Sequence, residues 1–172
     1  MRNIEHLPHY TYQDYKSWKG QWELIYGIPY AMSPSAKKNH NRLGGNIFTY
    51  IKSNLNCTKC EVYYETDWII ADDSIVRPDI LIVCDDIESD WIETTPVLII
   101  EILSESTAIK DKNVKFSLYQ ENGVKFYILI NPINYEIEIF ELIDNKYVLN
   151  NSLEEYIFSE ACTLSMNVKN VL

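Results

Sequence analysis

Pro96-Val-Leu-Ile-Ile-Glu101-Ile-Leu103 sets a single carboxylate among seven apolar residues. A short apolar run bounded by Thr94-Thr95 and Ser104 predicts a strand covered on both faces. An unpaired, ionised carboxylate there would cost roughly several kcal/mol or more, so the fold must compensate Glu101. Twenty-two positions earlier, Arg77-Pro78-Asp79 leads into a second apolar run, Ile80 to Val83. Proline cannot donate to a ladder, which suits the first residues of a strand and places Asp79 at a rim. Two carboxylates delivered by neighbouring strands can share a divalent metal.

Downstream, 104–111 is polar and aperiodic and reads as a loop. Residues 111–121 then read as a helix stopped by Asn122-Gly123. Asp111, Lys115 and Tyr119 share one face of that helix, with Val114 and Leu118 on the adjoining apolar stripe. By spacing alone Asp111 is a helix N-cap and Lys115 an exposed lysine. Beside a carboxylate pair, however, a lysine could stabilise charge on a phosphorane or orient an attacking water. Residues 124–130 form another apolar strand, and 135–141 alternates strictly, which turns Glu136, Glu138 and Glu141 to water before a last strand at 146–149.

Upstream, 61–70 reads as one strand turned back at Asp72-Asp73-Ser74, with Glu65 on its solvent side. Residues 21–32 predict a hairpin pivoting at Gly27 with Glu23 in its first arm. Ser33-Pro34-Ser35 predicts the start of a helix running to Asn54, with His40 near its beginning. Lys37, Lys38, Arg42 and Lys52 lie on its polar side, as either a solvated face or a phosphate-contacting one. A short helix over 11–18 precedes all of this.

The chain has 172 residues, 47% of them hydrophobic, enough for one globular domain over 1–172. No apolar run approaches the roughly 18 residues of a membrane span, and Met1-Arg-Asn-Ile-Glu-His6 has no signal-peptide core, so a cytoplasmic protein without a membrane partner is expected. The formal charge is -10, which by itself opposes nucleic-acid binding. Its distribution is uneven: 8 Lys+Arg face 3 Asp+Glu in residues 1–60, and 7 face 22 thereafter. Bound metal would neutralise some of the later acids. Of Cys57, Cys60, Cys84 and Cys162, only Cys57-x₂-Cys60 has ligand spacing, and neither a second Cys pair nor a His pair follows, so free reduced thiols are expected. His6 and His9 are three apart and are weak metal-ligand candidates. Phosphate-loop, dinucleotide and nucleophile-elbow motifs are absent.

The ordered set Trp22-Glu23-Leu24, Gly27, His40, Pro78-Asp79, Glu101-Ile-Leu-Ser104, Asp111-x₃-Lys115-x₃-Tyr119-x₃-Gly123-Val124, Tyr127 and Asn131-Pro132 resembles the Uma-type restriction endonuclease family of the PD-(D/E)XK nuclease superfamily. That resemblance implies an α/β restriction-endonuclease-like fold, a central mixed β-sheet flanked by helices. It also implies a Mg²⁺- or Mn²⁺-dependent endonuclease acting on DNA. Asp79 and Glu101 would be metal ligands, the carbonyl of Ile102 would complete the shell, and Glu23, His40, Asp111 and Tyr119 are secondary site candidates. The superfamily usually carries lysine two residues past the glutamate, where this chain has Leu103; the Uma-type pattern moves the lysine to the following helix, which makes Lys115 the catalytic candidate. DNA would approach over Lys37, Lys38 and Arg42, and a homodimer suits cleavage of two strands. The alternative is a catalytically inactive nuclease-fold domain that binds DNA or a protein partner.

Overall fold

A computed structural model describes residues 8–32, 36–105 and 107–172. The expected helix start at Ser33-Pro34-Ser35 and the candidate ligand His6 lie outside the described residues. A short helix α1 (Tyr12–Tyr15), begun by the Thr11/Asp14 capping box, leads into the hairpin β1 (Trp22–Ile25) and β2 (Ile28–Ala31). Its turn uses Tyr26 and Gly27, both at positive φ (51° and 74°), as two-residue hairpins require. Helix α2 (Lys38–Asn54) follows, burying Leu43, Ile47 and Ile51 at helical spacing.

The predicted strand over 61–70 is instead two strands in two sheets. Glu65 adopts a positive φ of 45°, which ends β3 (Cys60–Tyr64) before β4 (Trp68–Ala71) begins. The same separation recurs at Arg77-Pro78-Asp79, between β5 (Ser74–Val76) and β6 (Ile80–Cys84). Strands β1, β2, β4 and β5 make a four-stranded sheet in the order β2-β1-β5-β4. With β7 (Leu98–Ile102), β8 (Phe126–Ile130), β9 (Ile137–Ile143) and β10 (Lys146–Leu149), strands β3 and β6 make the central sheet, in the order β10-β9-β8-β7-β6-β3. Only β7 and β8 are parallel within it, so the central sheet is mixed.

Alternation along these strands divides the core. Ile80, Ile82, Leu98, Ile100, Phe126 and Ile128 point to α2 and to a C-terminal hairpin, β11 (Glu155–Ser159) and β12 (Cys162–Ser165). Leu81, Val83, Ile99, Tyr127 and Leu129 point the other way, to the four-stranded sheet and to α3 (Phe116–Glu121). The predicted loop over 104–111 turns helical from Ala108, and a π-helical turn, Lys110–Lys115, runs directly into α3.

The cysteines are a second correction. Cys57 is bonded to Cys162 and Cys60 to Cys84, leaving no free thiol. The β3/β6 ladder sets Cys60 directly opposite Cys84, and the β11–β12 hairpin packs Cys162 into the core beside Cys57. Neither proximity has a signature in sequence spacing. Among the described residues no helix is long and apolar enough to cross a membrane.

Candidate active site

Glu101 stands at the end of β7 and Asp79 just before β6, one step beyond the register pair Ile80↔Ile100. Odd-numbered positions on both strands face α3 and the four-stranded sheet, so both carboxylates do too. Their backbones and side chains cross-bond: Asp79 N donates to Glu101 Oε2 at 3.3 Å, and Ile102 N donates to Asp79 Oδ2 at 2.7 Å. Asp79 keeps 18% of its side chain exposed, as befits a rim residue, and Glu101 is buried. His40, from the first turn of α2, places Nε2 3.2 Å from Asp79 Oδ2.

The compensation that Glu101 needs comes from Lys115, whose side chain is only 3% exposed. Its Nζ lies 2.8 Å from Glu101 Oε1, 2.7 Å from Glu23 Oε1 and 3.7 Å from Asp111 Oδ1. Tyr119 OH donates to Glu101 Oε1 at 2.9 Å, and Tyr127 OH donates to the Asp111 carbonyl at 3.0 Å. Neither bland expectation holds: Asp111 is buried rather than a helix cap, and Lys115 is buried rather than on the surface. Glu23 is fixed from three sides, by Lys115, by Lys110 and by the backbone N–H of Arg77 at 2.9 Å.

Burial pushes Glu101 up to about 8, against the pull of Lys115 and aided by the charges of Asp111, Asp79 and Glu23. Burial raises Asp111 as well. Glu23 is equally buried, yet it lies below the usual carboxylate range because Lys115 and Lys110 together outweigh desolvation. Desolvation alone would lower the Lys115 ammonium, but Glu101, Glu23 and Asp111 hold it well above its ordinary value. For His40, burial opposes the charged ring, but the Asp79 hydrogen bond together with the charges of Asp79, Glu101 and Glu65 outweighs it and raises the ring above its ordinary value.

A family model described as "Putative restriction endonuclease", Uma2, matches residues 11–166. The chain belongs to the Uma2 family. Two uncharacterized proteins of Synechocystis sp. are similar to it. One, sll1609, is 30% identical over 143 residues, covering 77% of this chain and 79% of that protein. The other, slr1290, is 28% identical over 149 residues, covering 81% and 77%. A solved structure described as "a putative nuclease belonging to DUF820", from Anabaena variabilis, superposes with a TM-score of 0.74 at 16% identity, covering 94% of this chain and 96% of that one. The restriction-endonuclease-like α/β fold is therefore shared.

In this Uma2-family domain Leu103, two residues past the glutamate, packs into the core, and the ammonium beside Glu101 is supplied by Lys115 from the helix. Seven further candidates cluster with it: Glu23, His40, Asp79, Glu101, Ile102, Asp111 and Tyr119. Lys37, Lys38 and Arg42 do not. They are exposed at the start of α2, with Lys37 paired to Glu105 at 3.1 Å and Arg42 donating to Asn39 at 3.0 Å. Glu65 is exposed, as expected, although its backbone N–H donates to the Asp79 carbonyl at 2.9 Å. Sequence reasoning missed Lys110. It lies five positions before Lys115, which on a regular α-helix would turn the two apart, whereas the wider π turn brings both to Glu23. Nothing in the local sequence marks a π turn.

Proposed function

We propose that this domain is a Mg²⁺-dependent phosphodiesterase that hydrolyses DNA, with Mn²⁺ as a competent substitute. The observation that carries the reading is the buried Lys115 Nζ 2.8 Å from Glu101, on a strand adjacent to the one that Asp79 begins.

The residues fit such an ion. Asp79, Glu101, Glu23 and Asp111 bring four carboxyl groups to Lys110 and Lys115, and a divalent cation at the Asp79/Glu101 pair would displace the proton that burial keeps on Glu101. Among the described residues no three Asp, Glu or His ligand atoms converge within 4.8 Å, so the donors are a carboxylate pair with the Ile102 carbonyl in reserve. A hard, incomplete oxygen set suits Mg²⁺, which keeps water and takes substrate phosphate in its remaining positions. The ion, when bound, would polarise the scissile phosphate and acidify a water.

The chain's own residues perform the rest. Tyr119 and Lys115 fix Glu101 Oε1 and leave Oε2 turned toward Asp79. Glu23 and Asp111 keep the Lys115 ammonium charged and aimed, so that it can donate to a phosphate oxygen or to the attacking water as negative charge develops. The basic start of α2 adjoins the rim through His40 and offers phosphate contacts on an otherwise acidic molecule. Cleavage of both strands would call for a two-fold pair of domains.

The test is a nuclease assay on plasmid and linear DNA in Mg²⁺, Mn²⁺ or EDTA, with circular dichroism confirming that each variant is folded. Wild type should cut only with metal, Glu101→Ala should lose metal binding and cutting, and Lys115→Met should lose about 10²-fold or more in rate while still binding metal. Wild-type protein that binds DNA without cutting it in either metal would establish the non-catalytic alternative.

A further inference from the structure

We infer that Cys57, Cys60, Cys84 and Cys162, when reduced, make a closed tetrathiolate site for one zinc ion, separate from the acidic cluster. The chain spacing provides only the Cys57-x₂-Cys60 half of such a site, and the fold provides the other half. Cys84 faces Cys60 across the β3/β6 ladder, and Cys162 opens β12 against the same point. The Sγ atoms of Cys57, Cys60 and Cys162 all lie within 4.8 Å of one another, with Cys57 and Cys60 in contact at 3.5 Å, and Cys84 is joined to Cys60. Sulfurs around a tetrahedral zinc with bonds near 2.3 Å stand about 3.8 Å apart, so four sulfurs already gathered in this volume need little rearrangement to enclose the ion.

The surroundings suit a structural site. Cys60 and Cys162 are buried and Cys57 and Cys84 half-buried, and four sulfur ligands leave no open position for a substrate. The Cys57–Cys60 turn is tied to the strand carrying Cys84 by the Asp85 N–H, which donates to the Lys59 carbonyl at 2.8 Å. Cys84 ends β6 while Asp79 precedes its start, a separation of roughly 16 Å at strand rise. The ion would fasten the β3 edge of the central sheet to the C-terminal hairpin, as the Cys57–Cys162 disulfide does in the oxidised chain. The two forms interconvert by a balanced reaction. Two equivalents of a dithiol reductant deliver four electrons and four protons to the two disulfides, giving four thiols and two cyclic disulfides of the reductant. Zinc binding then releases the four thiol protons.

The test uses the full chain, reduced with excess dithiol, desalted without oxygen and titrated with Co²⁺ and then Zn²⁺. One equivalent of Co²⁺ should produce the sulfur-to-cobalt charge-transfer and visible bands of a tetrahedral tetrathiolate, and one equivalent of Zn²⁺ should remove them. Cys84→Ser and Cys162→Ser should each weaken binding by about tenfold or more and change the cobalt spectrum to that of three sulfurs. Native mass spectrometry of the wild type makes the test independent of how the variants fold, with an expected neutral mass of the reduced chain plus one zinc less two hydrogens. Absence of the cobalt bands, or of the zinc adduct, in the reduced wild type would overturn the site. Full affinity and an unchanged spectrum in folded Cys84→Ser and Cys162→Ser would overturn the four-ligand assignment.

Discussion

Glu101 is a carboxyl group whose environment disfavours its charge. Raised from 4.5 to about 8, it keeps a proton in the folded chain that the unfolded chain releases above about 4.5. Its contribution to stability is therefore greatest at acid pH and falls as pH rises from about 4.5 to about 8. Glu101→Gln removes the titration and keeps the shape. Melting temperatures measured in EDTA should show wild type losing stability relative to Glu101→Gln across that window. Mg²⁺ competes with the same proton, so its affinity for wild type should rise over the same range. A constant difference between the two proteins would mean that Lys115 keeps Glu101 ionised throughout. For Lys115 itself, removing the ammonium takes a buried counter-charge and donor from Glu23, Glu101 and Asp111, and Lys115→Met should cost about 3–5 kcal/mol of stability in metal-free buffer. Denaturant midpoints will measure this, and Mg²⁺ should recover part of the loss. Much of this cluster was legible because Glu101 is conspicuous as the lone acid in an apolar strand and Asp79 follows a proline at a strand start. The burial of Asp111 and Lys115 was not legible, because spacing gives the helix face but not what covers it.

The elements that deliver these residues differ in how openly the sequence announces them. The β1–β2 hairpin, α2, β7, β8 and β10 follow from period, turn chemistry and stop signals. The separation of β3 from β4 turns on one residue, Glu65, in a conformation that its side chain does not advertise, and the π turn before α3 has no local marker at all. At the hairpin turn the residue type is dictated by geometry. Gly27 has a φ of +74°, and a Cβ there would stand 2.2 Å from the His9 ring. Gly27→Ala should cost about 1–2 kcal/mol through the left-handed backbone alone. More is expected because His9, paired with Asp73 at 3.0 Å, must give way. A urea midpoint equal to that of wild type would show that the turn can relax without that loss.

Across the whole molecule, charge and topology separate. The acids concentrate after residue 60, and the basic start of α2 adjoins the Asp79/Glu101 rim through His40, so on the proposed function neutralising Lys37, Lys38 and Arg42 together should weaken DNA binding. It should also reduce the log-log salt slope by up to about three units. An unchanged slope would place the contact surface elsewhere. A mixed central sheet could be foreseen, but the second sheet and the β11–β12 hairpin could not, since partner choice among strands depends on long-range packing. That topology also bears on safety. Glu23, Asp79, Glu101 and Lys115 come from a hairpin, the lead-in to β6, the end of β7 and a helix, spread over both sheets, and they meet only where those sheets face each other. A fragment that stops short of residue 115, or a chain with one sheet still unformed, holds the acids without the lysine that organises them. On the proposed function, such a chain has nothing with which to cut, so a cell making it would be exposed to DNA cleavage only once the molecule is finished.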